Sequence, residues 1–128
     1  MAIDISNAEL EVMQVIWRTQ PCSAADVVQY LQQQKDWHEK TVKTLLNRLV
    51  AKSALSYQKN GRAYLYSACI SQQDYQQQVS GSFVQRLFAG RVAPLVASFA
   101  RKNELSASDL AELKQLVAEL EQQQEDKS

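Results

Sequence analysis

Lys40, Thr41, Lys43, Thr44, Asn47 and Arg48 lie in one stretch, "WHEKTVKTLLNRLVAK" from Trp37 to Lys52, and their types suit a surface that reads nucleic acid. Small hydroxyls permit close approach to a base edge, an amide can read adenine, and Lys or Arg can meet guanine or a phosphate. Spacing decides whether they can act together. Val42, Leu45, Leu46, Leu49 and Val50 fall at i, i+3, i+4, i+7 and i+8, which makes one face of a predicted helix apolar. The polar set, with Lys52, takes the opposite face. A polar helix face is ordinarily only solvated, so this stretch by itself fixes no function.

The neighbouring segments supply the context. "LSYQKNGRAYLYSA" holds two β-prone runs around Asn60-Gly61, a strong signal for a two-residue hairpin of type I′, which needs positive φ at both positions. Tyr57, Tyr64 and Tyr66 favour strand geometry. Lys59 and Arg62 flank the tip, where they could clamp a phosphate or the minor groove; their plainer role would be guarding an edge strand. Upstream, "SNAE" reads as a capping box with Ser6 as N-cap and Glu9 three residues on, and Leu10, Met13, Ile16 and Trp17 supply an inward side. Pro21 ends that helix. A second starts at Ser23 and turns Ala24, Val27, Val28 and Leu31 inward. Three short helices and then a hairpin is the order of a winged helix-turn-helix, whose second motif helix enters the major groove.

The rest of the chain reads as helical. Ser71 with Asp74 opens a helix carrying Tyr75, Val79, Phe83 and Leu87 at four-residue spacing, closed near Gly90. A shorter one, roughly Val92 to Arg101, presents Val92, Leu95, Val96 and Phe99. "SASD" caps the last, where Leu110, Leu113, Val117 and Leu120 follow a heptad pattern. The tail "EQQQEDKS" has nothing to bury and is expected to fray. A segment this short makes a poor core alone, so Phe83, Leu87, Leu95, Phe99, Leu110, Leu113, Val117 and Leu120 are expected to form a dimer interface. The expected architecture is mainly α with a small β-hairpin: a winged helix-turn-helix DNA-binding domain over 1–70 and a helical dimerisation domain over 71–128.

The 128 residues are 45% hydrophobic and 22% charged, ordinary for a packed soluble protein. No apolar run is long enough to cross a bilayer and no signal sequence is evident, so a cytoplasmic location without direct membrane binding is expected. Net charge is zero, yet its distribution is uneven. From His38 to Tyr64, Lys40, Lys43, Arg48, Lys52, Lys59 and Arg62 face one acid, Glu39. From Glu104 onward, Glu104, Asp109, Glu112, Glu119, Glu121, Glu125 and Asp126 outnumber Lys114 and Lys127. A basic binding surface in the first half follows. Cys22 and Cys69 have no CxxC spacing and read as buried or half-buried thiols. The single histidine, His38, has no nucleophile at a recognisable spacing, so neither catalysis nor a cofactor or metal is expected.

"ISNAELEVMQVIW" (Ile5 to Trp17), "QKDWHEKTVKTLLNRLVAK" (Gln34 to Lys52), "GRAYLYSA" and "ELSASDLAEL" (Glu104 to Leu113) together resemble the BlaI/MecI/CopY repressors of β-lactamase, penicillin-resistance and copper-homeostasis genes. The resemblance runs from Ile5 to about Leu120. It implies a homodimer on a palindromic operator in double-stranded DNA, with Lys40, Thr41, Lys43, Thr44, Asn47 and Arg48 on the recognition helix and Arg62 in the wing contact. In the penicillinase branch a membrane-bound sensor leads to proteolysis at an Asn-Phe bond. The matching place here is Ser98-Phe99, which keeps the Phe and not the Asn. The copper branch carries a C-terminal cluster of CxC pairs; this chain has no cysteine after Cys69, so direct metal sensing is not expected. The alternative class is a winged-helix adaptor that binds protein rather than an operator.

Overall fold

A computed structural model of the chain describes residues 3–127. Its elements are helices α1 (Asn7–Thr19), α2 (Ala24–Gln32) and α3 (Glu39–Ala51), strands β1 (Leu55–Asn60) and β2 (Ala63–Ala68), and helices α4 (Gln72–Phe88), α5 (Val92–Arg101) and α6 (Ala107–Lys127). The fold is mainly helical with one antiparallel hairpin, the winged helix-turn-helix order. The chain divides into two compact units, Met1–Ser80 and Gly81–Ser128. The division falls inside α4, ten residues beyond the expected 70/71 boundary. Its cause lies in the first turn of α4. Tyr75 is buried with its ring centroid 5.8 Å from that of Trp17, and the Trp17 indole N–H donates to Ile70 O at 2.9 Å.

Helices α1 and α2 start where hydroxyl caps satisfy their open amides. Ser6 accepts from Glu9 N–H while Glu9 accepts from Ser6 N–H, and Ser23 and Asp26 make the same reciprocal pair. Behind the caps, Val12, Met13, Val15 and Ile16 of α1 meet Val27, Val28 and Leu31 of α2 and Val42, Leu45, Leu46 and Leu49 of α3. The inward side of α1 is therefore broader than the sequence pattern gives. Val12 and Val15 are buried, while Leu10 and Trp17 are half-buried.

The wing is pinned at its root. Cys22 and Tyr66 exchange backbone hydrogen bonds, N–H to O at 3.1 and 2.7 Å, so β2 is held to the α1–α2 link as well as to β1. Strand pairing runs from Leu55↔Ala68 to Asn60↔Ala63, which leaves Gly61 and Arg62 as the loop. The turn thus sits one residue later than Asn60-Gly61, and only Gly61 has positive φ, at 65°. Positive φ at the first loop position alone is the type II′ pattern, not type I′; it asks for glycine once and lets Arg62 keep an ordinary backbone. Burial raises the Cys22 thiol pKa, whereas Cys69 is exposed rather than half-buried.

Hydroxyl caps also mark the starts of α4, which opens in the first unit, and of α6 in the second. Asp74 N–H donates to the Ser71 hydroxyl at 3.1 Å and Asp109 N–H to the Ser106 hydroxyl at 3.0 Å. The tail does not fray as expected. Helix α6 runs to Lys127, because its Glu, Gln and Lys residues are good helix formers and Gln115 and Glu119 hydrogen-bond one turn apart. Ser128 lies outside the described residues. Among the described residues no helix is long and apolar enough to cross a membrane.

Helix α3 ends in a Schellman motif. Ala54 N–H donates to Leu49 O at 2.9 Å and Ser53 N–H to Val50 O at 3.0 Å, with Ser53 at φ 65°. That left-handed position favours glycine, and a side chain there is strained. Ser53→Gly is expected to raise stability by about 1 kcal/mol. Urea unfolding would read this as a higher midpoint at unchanged slope; an unchanged midpoint would mean that Ser53 carries no strain.

Candidate nucleic-acid interface

Helix α3 begins with an unusual cap. The His38 imidazole Nδ1 accepts from Lys40 N–H at 3.2 Å, so the single histidine of the chain is occupied in starting this helix. Beyond it, Lys40, Thr41, Lys43, Thr44, Asn47 and Arg48 are all exposed, while Val42, Leu45, Leu46 and Leu49 are buried. At 100° per residue the six exposed positions span roughly 160° of helix circumference. Thr44 donates its hydroxyl to Lys40 O at 3.0 Å, one turn back, which leaves its oxygen as an acceptor for an outside group.

The wing stands beside this face. An open groove of about 430 Å³ is lined by Glu39, Lys43 and Asn47 of α3, by Arg62, Ala63, Tyr64 and Tyr66 of the hairpin, and by Ser23, Ala24 and Ala25 at the start of α2. Lys43, Asn47 and Arg62 are thus brought together. Lys59 is also exposed, on β1 at the register position opposite Tyr64, but it does not line the groove. The sequence pattern does not mark Ser23 to Ala25 or the two tyrosines as lining residues. Strand alternation could have shown that Tyr57, Tyr64 and Tyr66 share one face, but nothing local to α2 signals its closeness to the wing.

Charge is distributed differently from the composition of the segment. Lys52 does not belong to the polar face. Its ammonium reaches Glu9 Oε1 at 2.6 Å and Asp4 O at 2.8 Å, and Glu9 is only 2% exposed. Lys43 pairs with Glu39 at 3.1 Å, one helical turn apart and exposed, a contact of small energetic weight. Lys40, Arg48, Lys59 and Arg62 have no ion-pair partner among the described residues. The basic excess is therefore real but is carried by fewer residues than a count of the segment suggests.

The residues expected to pair two chains lie in the second unit. Phe83 (38% exposed), Leu87, Phe99, Leu110, Val117 and Leu120 (56%) are open to solvent. Leu95 and Leu113 are half-buried and line a cleft of about 280 Å³ with Val96, Phe99, Leu105 and Leu116. These two therefore face a cleft of the chain itself rather than open solvent. Leu116, at 52% exposure, extends the apolar stripe beyond the heptad positions. Ser98 and Phe99 are exposed, and the bond between them lies inside α5. Among the described residues no group of His, Cys, Asp and Glu is placed to hold a metal ion.

Comparison with known proteins gives a consistent picture. The family model "Penicillinase repressor" matches residues 5–119. The penicillinase repressor of Bacillus licheniformis is 37% identical over 115 residues, covering 90% of each chain. The methicillin resistance regulatory protein MecI of Staphylococcus aureus (strain N315) is 32% identical over 114 residues, covering 89% of this chain and 93% of its own. Among solved structures, the DNA binding domain of the repressor BlaI is 40% identical, with a TM-score of 0.53 over 59% of this chain and 92% of that one. The Bacillus licheniformis BlaI monomeric form in complex with the blaP half-operator is 42% identical, with a TM-score of 0.50 over 56% and 88%.

The Glu9–Lys52 pair has a pH consequence. Burial alone would raise the Glu9 carboxyl, but the Lys52 and Ser6 hydrogen bonds outweigh it and hold the pKa below the ordinary 4.5. A carboxyl depressed on folding stabilises above its unfolded value, and that contribution is lost as pH falls through the folded value. Lys52→Met should cost about 2 kcal/mol at neutral pH. The gap between wild type and Lys52→Met should close as pH drops below 4.5. Chemical denaturation at several pH values measures this, and a gap independent of pH would show that the pair is not its source.

Proposed function

Because the chain belongs to the penicillinase repressor family, we propose that it is a sequence-specific DNA-binding transcriptional repressor, acting as a homodimer on a palindromic operator in the cytoplasm. The observation that carries this reading is the exposed arc of Lys40, Thr41, Lys43, Thr44, Asn47 and Arg48 on α3, bordered by the basic wing. The half-operator complex of the BlaI relative supports DNA as the partner of that surface.

On this reading α3 enters the major groove. Thr41, Thr44 and Asn47 meet base edges, Arg48 takes a guanine or a phosphate, and Lys40, Lys43, Lys59 and Arg62 neutralise backbone charge. One half-site offers few contacts. Two recognition helices held roughly 34–36 Å apart enter successive major grooves on one side of the duplex, and the linkage raises affinity sharply. The exposed stripe of Leu87, Phe99, Leu110, Leu116, Val117 and Leu120 supports pairing of two chains, since apolar surface of this extent is stabilised by leaving water. Loss of that pairing would release the operator. If a sensor-linked protease acts at Ser98-Phe99, α5 must first unwind there, because the bond lies within the helix.

Selection of bound duplexes from a random pool tests the function directly, and recovery of a twofold-symmetric site is expected; no enrichment would refute it. On the recovered duplex, Arg48→Ala should weaken binding by roughly 1–3 kcal/mol, and unchanged affinity in a titration would remove Arg48 from the interface. For pairing, Leu120, at 56% exposure, is a cleaner probe than the half-buried Leu113, which lines the cleft with α5. Leu120→Asp should sediment as a monomer at concentrations where the wild type is a dimer. A persisting dimer would place the interface elsewhere.

A further inference from the structure

The wing carries more than its two basic residues. In the observed register Tyr57 pairs with Tyr66 and Lys59 with Tyr64, and alternation puts these four side chains on one face of the hairpin. That face starts in the core with buried Tyr66 and runs outward to Tyr57 and Tyr64, which are 48% and 44% exposed. The rings support one another. Tyr57 lies 4.6 Å from Tyr64 and 5.9 Å from Tyr66, centroid to centroid, in tilted geometry. A ladder anchored in the core holds its outer ring still, so little freedom is left to lose on binding. The Tyr64 hydroxyl has no hydrogen-bond partner among the described residues, and Tyr64 lines the same groove as Lys43, Asn47 and Arg62. The acid bordering that groove, Glu39, is already tied to Lys43.

Two half-exposed rings beside cations would be a costly surface if nothing covered them. Their chemistry suits one strand of a nucleic-acid backbone: the cations meet its charge, a flat ring covers deoxyribose, and a phenol donates to a phosphate oxygen. We propose that Tyr64 is a further DNA-contacting residue, its hydroxyl donating to a backbone phosphate of the strand lying in the groove between α3 and the wing, with Tyr57 as the residue that positions it. The proposal rests on the repressor reading above.

The phenol is neutral, and this separates its role from that of the basic residues. Removing it releases no counterion, so affinity should fall while its dependence on salt stays the same; removing a lysine or arginine contact lowers the salt slope by about one. The test uses the full chain and the duplex recovered from the random pool, titrated at several salt concentrations. Tyr64→Phe should weaken binding about three- to tenfold, the size of one net hydrogen bond, with salt slope and melting temperature unchanged. Tyr57→Ala should give a loss of similar size, rescued by Tyr57→Phe, which keeps the supporting ring. Arg62→Ala should lower both affinity and slope. If Tyr64→Phe binds within twofold of wild type while Arg62→Ala is weakened, the tyrosine assignment falls and the repressor reading stands. If the wild-type chain enriches no duplex, both fall.

Discussion

The polar side of α3 faces outward because its other side cannot leave the core. Val42, Leu45, Leu46 and Leu49 are between 0% and 5% exposed, on a helix that packs against α1, α2 and β1. Burying four such side chains contributes on the order of 8 kcal/mol, comparable with the whole stability of a small domain. Rotating the helix enough to hide Thr44, Asn47 and Arg48 would forfeit most of that. The surface proposed to meet DNA is thus fixed by the packing beneath it, and the caps at Ser6, Ser23 and His38 settle where the packing helices begin.

How much of this was legible in the sequence depends on the range of the interaction. Local signals read well. Ser6 with Glu9 and Ser23 with Asp26 form the capping boxes their spacing announces, and the apolar face of α3 is the buried one. Signals that depend on distant partners did not read. Lys52 sits on the polar side of its own helix by spacing, and only the fold reveals that residue 9, a long way back in the chain, draws it inward. The pin between Cys22 and Tyr66 uses backbone groups, which have no sequence signature. At the wing, Asn60-Gly61 named the right turn region but the wrong pair, since glycine at the first loop position alone satisfies the backbone.

The two units differ in how they are held together. The first encloses a contiguous core, from Val12 to Tyr66, and shields one carboxylate inside it. Among the described residues of the second, Val84 is the one buried hydrophobic, and neither α5 nor α6 buries any. The heptad reading of α6 does not tell which of its apolar positions line the cleft with α5; Leu113 lines it, and Leu120 is 56% exposed. That lining depends on α5 and α6 bordering one cleft, an arrangement that the period of neither helix encodes.

The bare apolar flank of α6 bears on how such a repressor would be titrated in a cell. On the pairing proposed above, the species competent for DNA forms from two chains by mass action. In the regime where chains are mostly single, its amount grows with the square of their number, so halving synthesis cuts the competent pool about fourfold. A gene under such control would switch over a narrower span of protein abundance than one governed by a reader that acts alone, and the sharpness would come from Leu110, Val117 and Leu120, far along the chain from the residues proposed to read bases.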